Sequence, residues 1–503
     1  MITLGIDLGT SAVKSVLLDD DRIVAVAEAP LSVDRPHPGW SEQDPQAWWQ
    51  ATCDCLDRLH AEQRAALAAV VAIGLSGQMH GATLLDRHAG VLRPCILWND
   101  GRSGAQCAEL ETRAPRLRAI AGNAAMPGFT APKLLWVREH EPAVFDRIDR
   151  VLLPKAWLRW KLCGEFVDEM SDASGTLWLD VARRRWSDEL LAACGLTQAQ
   201  MARLVEGSEA AGQLRPEWVR RWGFTRAPLL AGGAGDNAAG AIGIGAIRPG
   251  DAFVSLGTSG VLWATTAGFA PRPERGVHAF CHAVPQTWHQ MGVLLSAGAS
   301  LSFWARARGQ DETGLLAALA DRPERPASCW FAPYLAGERT PHNDPAVRGG
   351  FLALDSATDA PAMTQAVLEG VAYAFRDARD ALASAGTRID EADLIGGGSR
   401  SPYWADVLAN VLDMPLHRVE GSEVGCALGA ARLARAAADG GAVQAAKARR
   451  VRSFVPRPAL AAQYDESYRR WQTLYGLLRQ VPHVPSPATH DEPDEQSATG
   501  AMA

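Results

Sequence analysis

Short apolar runs alternate with longer amphipathic segments along most of the chain. Near the start, the apolar run 2–6 leads into the motif DLGTS at 7–11, and a second apolar run follows at 16–18. Two apolar runs joined by a tight Gly-Thr turn are typical of a β-hairpin. Residues 363–383 instead place apolar side chains at three- and four-residue steps, which predicts an amphipathic helix. Strands that alternate with such helices predict an α/β fold.

The hairpin pattern occurs again near the middle of the chain. The motif SLGTSG at 255–260 also lies between two apolar runs. Matching flanks at domain-length separation indicate two related halves. We therefore predict an N-terminal domain over residues 1–247 and a C-terminal domain over 248–480, with the turn Pro249-Gly250 close to the boundary.

Composition separates the last residues from the rest of the chain. Of the 503 residues, 47% are hydrophobic and 21% are charged, as in ordinary globular proteins. Residues 481–503 are rich in Pro, Ser, Thr and acid, so we predict a disordered acidic tail there. The tail holds four acidic residues and no Lys or Arg, and so carries more than half of the formal net charge of −7.

Charge and cysteine content narrow the range of partners and compartments. A nearly neutral body without a basic block argues against binding to nucleic acid or to an anionic membrane. The first residues lack the basic and apolar regions of a signal peptide, and no apolar stretch is long enough to span a bilayer. Nine cysteines without a CxxC pair favour free thiols in a reducing cytoplasm.

The first hairpin carries a candidate phosphate site. Backbone N–H groups of a Gly-rich turn suit phosphate, and Thr10, Ser11 and Lys14 would add hydroxyl donors and a positive charge. Asp7 would help to hold a hydrated Mg²⁺, which prefers carboxylate and phosphate oxygens. The alternative is a plain hairpin with a capping Asp.

A second acid follows a strand in GGAGDNAAG at 232–240. Asp236 is a candidate general base, because the small residues around it leave room for a substrate hydroxyl. The alternative is the N-cap of a helix. His80, in a Gly-bounded loop, is either a ligand contact or an ordinary loop histidine, and the polar loop 337–344 either binds a ligand or closes a surface.

The absent motifs exclude two large classes of nucleotide-binding protein. The chain has no GxxxxGK[ST], so it is not a P-loop protein. It also has no GxGxxG at a strand-to-helix turn with a suitably spaced acid, which argues against a dinucleotide enzyme.

Taken together, DLGT, GGAGDNAAG, SLGTSG and LIGGGSR resemble the FGGY carbohydrate kinases, which belong to the actin, hexokinase and Hsp70 ATPase superfamily. The resemblance covers roughly residues 1–475. Its longer segments are RPHPGWSEQDPQAWW (35–49), GLSGQMHGATLLD (74–86), LWNDGR (97–102), MPGFTAPKLLWV (126–137), SDASGTLWLDV (171–181) and PYLAGERTPHNDP (333–345).

The resemblance implies two ribonuclease-H-like domains with an active-site cleft between them. It makes Asp236 the catalytic base and Asp7 the metal-associated acid, with both carboxylates near the metal. It places Met79, His80 and Asn237 at the sugar, beside Asp236; glycerol kinases carry an Arg-Glu pair in place of Met-His, which argues against glycerol. It implies that the nucleotide contacts are Thr10, Ser11, Lys14, Gly257, Thr258, Gly298, Gly397 and Ser401.

The activity implied is ATP-dependent phosphorylation of D-xylulose on its 5-hydroxyl, which yields D-xylulose 5-phosphate and ADP in xylose catabolism. ATP and Mg²⁺ are the implied cofactors, the location is cytoplasmic, and homodimers are common in the family. Two alternatives stay open at this point. One is a chaperone-like ATPase on the same superfamily fold, and the other is a kinase for another pentulose or sugar alcohol, such as ribulose or arabinitol.

Overall fold

The computed structural model describes residues 1–319, 324–420 and 424–482. Most of the predicted tail, from 483 onward, lies outside the described residues. The strands up to the middle of the chain are β1 Ile2–Leu8, β2 Ala12–Asp19, β3 Arg22–Pro30, β4 Glu42–Gln43, β5 Ala72–Gly77, β6 Thr83–Leu85, β7 Cys95–Ile96, β8 Arg150–Leu152, β9 Val167–Glu169, β10 Leu179–Asp180, β11 Arg185–Trp186, β12 Arg203–Val205, β13 Ala210–Gln213, β14 Leu229–Ala231 and β15 Ala234–Gly235.

The second half contributes nine more described strands. They are β16 Ala252–Leu256, β17 Gly260–Thr266, β18 His278–Cys281, β19 Trp288–Leu294, β20 Trp330–Ala332, β21 Gly350–Leu352, β22 Ala392–Ile395, β23 Leu416–Val419 and β24 Arg450–Phe454.

Helices alternate with these strands in both halves, as the hydrophobic pattern predicts. The helices of the first half are α1 Pro45–Glu62, α2 Arg64–Ala68, α3 Gly104–Arg113, α4 Leu117–Ala121, α5 Thr130–His140, α6 Pro142–Phe145, α7 Pro154–Cys163, α8 Met170–Ser174, α9 Asp188–Ala193, α10 Pro216–Trp222 and α11 Asp236–Ile244. Those of the second half are α12 Gly298–Arg308, α13 Glu312–Ala317, α14 Ala360–Ser384, α15 Pro402–Leu412, α16 Gly425–Asp439, α17 Pro458–Trp471 and α18 Thr473–Leu478.

Each half contains a mixed sheet, and six strands follow the same order in both sheets, whereas β18 at the edge of the second sheet has no counterpart among the described strands of the first. The first runs β13-β14-β5-β1-β2-β3, with β15 also beside β5, and the second runs β18-β19-β17-β16-β22-β23-β24. In both, an antiparallel hairpin (β1–β2; β16–β17) joins a third antiparallel strand on one side and two parallel strands on the other. The repeated motif therefore marks the same hairpin in each half, and the α/β prediction is confirmed.

One helix of the second half packs on the sheet of the first. The helix α16 lies against α11 and against the central strands β1 and β5. Backbone contact is close there, because a Cβ placed on Gly5 would lie 1.9 Å from the carbonyl oxygen of Ala427, and one on Gly74 would lie 1.9 Å from that of Ala430. The two halves are thus joined through small residues in the middle of β1 and β5.

Candidate active site

Two pockets meet at the turn between β16 and β17. The first, which we name the Asp236 pocket, has a volume of about 320 Å³ and is lined by residues of both halves. The second, which we name the Gly397 pocket, has a volume of about 930 Å³, and its described lining residues come from the second half. Gly257 lines both pockets, so they adjoin at this glycine.

The acids of the Asp236 pocket region converge because parallel strands end at the same edge of a sheet. In the register of the first sheet, Asp7 of β1 lies opposite Ser76 of β5, and Gly235 of β15 lies opposite Gly77. Asp236 follows β15 directly, and the loop after β5 carries Met79 and His80. Strand order thus brings together acids that are far apart in sequence.

The Asp236 carboxylate has one occupied and one free oxygen. Its Oδ1 accepts hydrogen bonds from the backbone N–H of Asn237 at 2.6 Å and from its side-chain amide at 2.9 Å, whereas Oδ2 has no hydrogen bond to a described residue. The helix α11 begins at Asp236 itself, and Gly235 takes the N-cap position. Burial, reinforced by the charge of Asp7, raises the pKa of Asp236 to about 7. The free oxygen belongs to a group able to accept a proton near neutral pH.

The Asp7 carboxylate fits a divalent cation. Its Oδ1 is buried and has no hydrogen-bond partner in the described part of the chain. Burial raises the pKa of Asp7, and its charge raises that of Asp236, so the two carboxylates repel each other when both are ionised. Mg²⁺ would relieve this repulsion, and carboxylate oxygens are the protein ligands that it prefers.

His80 is held in a fixed orientation and tautomer. Its φ is 71°, in the left-handed region that few residues other than glycine adopt. Its carbonyl oxygen accepts hydrogen bonds from Lys133 Nζ at 2.9 Å and Thr130 Oγ1 at 3.1 Å. Its Nδ1 lies 2.8 Å from the carbonyl oxygen of Gly175, which can only accept, so Nδ1 carries the proton. Burial lowers the pKa of His80 to about 3, and the neutral ring is left with Nε2 as an acceptor.

A buried cluster of ionisable side chains, which we name the Lys155 cluster, supports the residue before Asp236. The Lys155 ammonium lies 3.1 Å from Asp168 Oδ1, 3.3 Å from Glu169 Oε1 and 3.4 Å from Asp172 Oδ2. Glu169 Oε1 also accepts the backbone N–H of Gly235 at 3.1 Å. Sequence reasoning missed this cluster, and its one available signal was the resemblance of residues 171–181.

Met79 packs closely under the pocket. It is 5% exposed, and a Cβ placed on Gly235 would lie 2.8 Å from its sulfur atom. A glycine before Asp236 therefore lets Met79 approach the backbone that carries the acid. Met79 and His80 both line the Asp236 pocket beside Asp236 and Asn237, so the structure brings together the four residues that the resemblance places at the sugar.

The residues of the first hairpin that are predicted to contact phosphate lie outside the described lining of both pockets. Thr10 Oγ1 donates to Gln78 Oε1 at 3.2 Å and accepts the indole N–H of Trp98 at 3.0 Å, which connects the turn to the wall of the Asp236 pocket. Ser11 is exposed, and Lys14 Nζ lies 3.5 Å from Glu28 Oε2. Asp7, Thr10, Ser11 and Lys14 are not among the described lining residues of either pocket.

The remaining predicted nucleotide residues all line the Gly397 pocket. They are Gly257, Thr258, Gly298, Gly397 and Ser401. The N–H of Gly298, at the start of α12, donates to the carbonyl oxygen of Gly257 at 2.8 Å. A Cβ on Gly298 would lie 2.6 Å from that oxygen, so the contact requires glycine. Ser401 also caps α15, since its Oγ accepts the N–H of Trp404 at 3.3 Å.

Several other residues line the Asp236 pocket; the sequence offers Trp98 as a candidate wall of the sugar cleft, and reasoning from it misses the others. Trp98 and Phe129 lie in segments that carry the resemblance, and Arg339 lies in the polar loop 337–344. His278 and Phe280, on β18, had no distinguishing signal in the sequence. All five reach the pocket from positions distant in sequence from Asp236, so their proximity could not be read from local pattern.

Comparison with known protein families shows which family this chain belongs to. Residues 2–243 match the N-terminal domain of the FGGY family of carbohydrate kinases. Residues 252–438 match its C-terminal domain. The chain belongs to the FGGY family of carbohydrate kinases. The domain boundaries at 247 and 480 stay predictions.

The relatives of this carbohydrate kinase include proteins named xylulose kinase. The chain is 51% identical over 438 residues to the xylulose kinase of Escherichia coli K12, which covers 87% of this chain and 90% of that protein. It is 33% identical over 492 residues to that of Lactococcus lactis, with 95% and 97% covered. A crystal structure described as a xyloylose kinase from Brucella ovis has a TM-score of 0.91 at 51% identity and covers 95% of this chain and 99% of its own.

Membership of the FGGY family defines the general reaction of this protein. The protein is a carbohydrate kinase that acts on small molecules and takes ATP as the family's phosphoryl donor. A chaperone-like ATPase is accordingly not supported. No helix among the described residues is long and apolar enough to cross a membrane.

Proposed function

We propose that this kinase transfers the γ-phosphoryl group of ATP to the 5-hydroxyl of D-xylulose. The observation that carries the proposal is the junction of the two pockets at Gly257, with the free oxygen of Asp236 on one side. Relatives that share half of its residues are named for this substrate. The neutral acceptor His80 beside Asp236 and Asn237 suits a ligand rich in hydroxyl groups.

The proposed step is a direct displacement. The 5-hydroxyl donates its proton to Asp236 Oδ2 as its oxygen attacks the γ-phosphorus, and the bond to the β–γ bridging oxygen breaks to release ADP. Positioning and charge stabilisation dominate this kind of transfer. Asp7 and Asp236 would hold Mg²⁺, which when bound supplies charge neutralisation for the phosphates. The Gly397 pocket would hold the nucleotide, with Thr10, Ser11 and Lys14 toward the phosphates.

A coupled assay of ADP release across D-xylulose, D-ribulose, L-ribulose, xylitol and D-arabinitol tests the substrate. We expect the highest kcat/KM with D-xylulose, and a phosphate on C5 of the product by NMR. A higher kcat/KM with another pentulose or with a sugar alcohol would replace the proposed substrate. ADP release that does not depend on any of these sugars would overturn the proposal.

Two variants test the assigned roles in the same assay. Asp236→Ala should lower kcat at least about 100-fold with an unchanged circular dichroism spectrum, because a general base contributes about 10²–10⁴-fold. His80→Ala should chiefly raise KM for D-xylulose, by about tenfold for the loss of one hydrogen bond. Wild-type kcat in the first variant, or an unchanged KM in the second, would contradict the corresponding role.

We also infer a cytoplasmic location, because ATP is available there, and a homodimer, because that assembly is common in the family. Cell fractionation measures the first, and light scattering on the purified protein measures the second.

A further inference from the structure

The Asp236 pocket contains a guanidinium group whose role is not assigned by the proposed function. Arg339 lies in the loop between β20 and β21 in the second half of the chain, and it lines the pocket together with His80 and Asp236 of the first half. Burial, followed by the charge of Arg339, holds the pKa of His278 well below its ordinary value. The guanidinium is therefore close to the histidine wall of the pocket.

The backbone around Arg339 is held firmly against β19. Glu338 Oε1 accepts the N–H of Arg339 at 2.8 Å and the N–H of Leu295 at 3.2 Å. Thr340 Oγ1 donates to the carbonyl oxygen of Gly276 at 2.7 Å and accepts the N–H of Val293 at 2.9 Å. Because both neighbours of Arg339 are bonded to the body of the second half, its side chain extends from a fixed point.

Apart from the hydroxyl groups of Ser255 and Ser259, which can donate or accept, the other polar side chains of the pocket wall mostly accept hydrogen bonds. His80 presents Nε2 as an acceptor, as described above. Asn123 Nδ2 donates to two carbonyl oxygens, so its Oδ1 accepts the Nδ1 proton of His278, and His278 Nε2 is likewise an acceptor. Asp236 accepts through its carboxylate, and the indole N–H of Trp98 is already bonded to Thr10. Such a wall binds hydroxyl groups that donate.

Arg339 differs from these groups in charge and in hydrogen-bonding capacity. It is the only cation among the described residues that line the Asp236 pocket. Its guanidinium makes no hydrogen bond or ion pair with another described side chain, and a guanidinium can only donate. The pocket therefore has a rigidly mounted, available donor that matches a ligand oxygen without a proton of its own.

We propose that Arg339 is a specificity-determining residue that donates hydrogen bonds to the carbonyl oxygen of an open-chain ketose, at the end of the sugar away from the reacting hydroxyl. The inference rests on the proposed function, since it requires the sugar to lie in the Asp236 pocket. A carbonyl oxygen only accepts, so it depends on a donor such as Arg339, whereas the corresponding hydroxyl of a sugar alcohol can accept from Arg339 but can also donate to His80 or His278. Arg339 thus selects ketoses over the sugar alcohols obtained by reducing them.

The test compares D-xylulose with xylitol and D-arabinitol, its two reduction products, in the wild type and in Arg339→Met and Arg339→Lys. D-xylulose is assayed as a substrate, and the sugar alcohols are assayed as substrates or as competitive inhibitors. We expect Arg339→Met to raise KM for D-xylulose at least about tenfold, because sites built around a polar contact discriminate strongly. The KM for ATP, and the KM or inhibition constant of each sugar alcohol, should change less than threefold. Arg339→Lys should restore part of the ketose preference.

Arg348→Met is the matched control, because Arg348 belongs to the same β20–β21 connection but bonds to the carbonyl oxygens of Pro345 and Val347. It should leave the ketose preference unchanged. An equal loss for ketose and sugar alcohols in Arg339→Met, or no loss at all, would overturn the inference. A wild type that phosphorylates no ketopentose would instead overturn the proposed function, so the two failures are distinguishable.

Discussion

At the scale of single residues, the environment of each polar group decides its chemistry. Asp236 has a pKa raised to about 7 because it is buried near Asp7, and His80 has a pKa lowered to about 3 because its ring is buried without an acidic partner. Near neutral pH, the pocket therefore combines an ionisable base with a neutral acceptor. The shifted pKa values of Asp236 and His80 therefore arise from their surroundings and not from the residue types alone.

Asp236→Asn should stabilise the protein more at pH 8 than at pH 4.5 when divalent cations are chelated. Because folding raises the pKa of Asp236, its contribution to stability is present below the ordinary carboxyl value of 3.8 and is lost as the pH rises through about 7. An amide does not titrate, so the advantage of the variant should grow by about 1 kcal/mol or more across this window. Urea unfolding with EDTA at both pH values measures it, and an equal difference at the two would contradict the raised pKa.

At the scale of secondary-structure elements, β5 and α16 depend on close backbone contact. Gly74 faces the carbonyl oxygen of Ala430, with no room for a methyl group between them. Backbone atoms cannot move aside as a flexible side chain would, so the strand and the helix must separate if this position carries a Cβ. The contact lies in the packing between the two halves.

Gly74→Ala should therefore destabilise the fold by about 1–3 kcal/mol, the usual cost of overpacking. The control is Gly476→Ala in α18, where a Cβ would meet nothing within 4 Å. Alanine is the better helix former, so this control should be neutral or stabilising by up to about 1 kcal/mol. Urea midpoints of the two variants measure the difference, and equal midpoints would show that α16 tolerates displacement.

The Lys155 cluster joins α7 to the strand that delivers Asp236. Removal of Lys155 would take away the ammonium that the buried acids Asp168, Glu169 and Asp172 share. We expect Lys155→Met to cost about 3–5 kcal/mol of unfolding free energy at pH 7. Lys161→Met, in the same helix, should cost far less, because Lys161 is half-exposed and has no carboxylate partner among the described residues. Comparable losses in thermal unfolding would argue against the cluster as the cause.

At the scale of the whole molecule, the Asp236 pocket belongs to neither half alone. His80 and Asp236 come from the first half, whereas His278 and Arg339 come from the second. A ligand that contacts both sides is expected to hold them closer together, and two-domain kinases commonly close in this way.

Solution scattering measures this closure. D-xylulose together with a non-hydrolysable ATP analogue should lower the radius of gyration relative to the free protein. The sugar alone, or the nucleotide alone, should lower it less, because each fills one pocket. Identical profiles with and without both ligands would show that the halves do not move.

The sequence by itself determined the α/β class, the two-fold repeat and the general chemistry. The spacing of apolar residues along the chain distinguishes strands from helices. The two LGTS motifs lie in equivalent hairpins of the two sheets. The motifs around Asp7, Met79, Asp236 and Gly397 identified the family, because each consists of residues that lie close together in the chain.

Only the tertiary structure decided what surrounds these motifs. Arg339, His278 and the Lys155 cluster act at the site through contacts between segments far apart in sequence, which no local pattern encodes. The packing of α16 on the first sheet could not be predicted from the sequence either, because it depends on which glycines of the sheet lie against the backbone of the helix. Local pattern specifies elements, whereas burial, charge and hydrogen-bond partners exist only once the elements have been brought together.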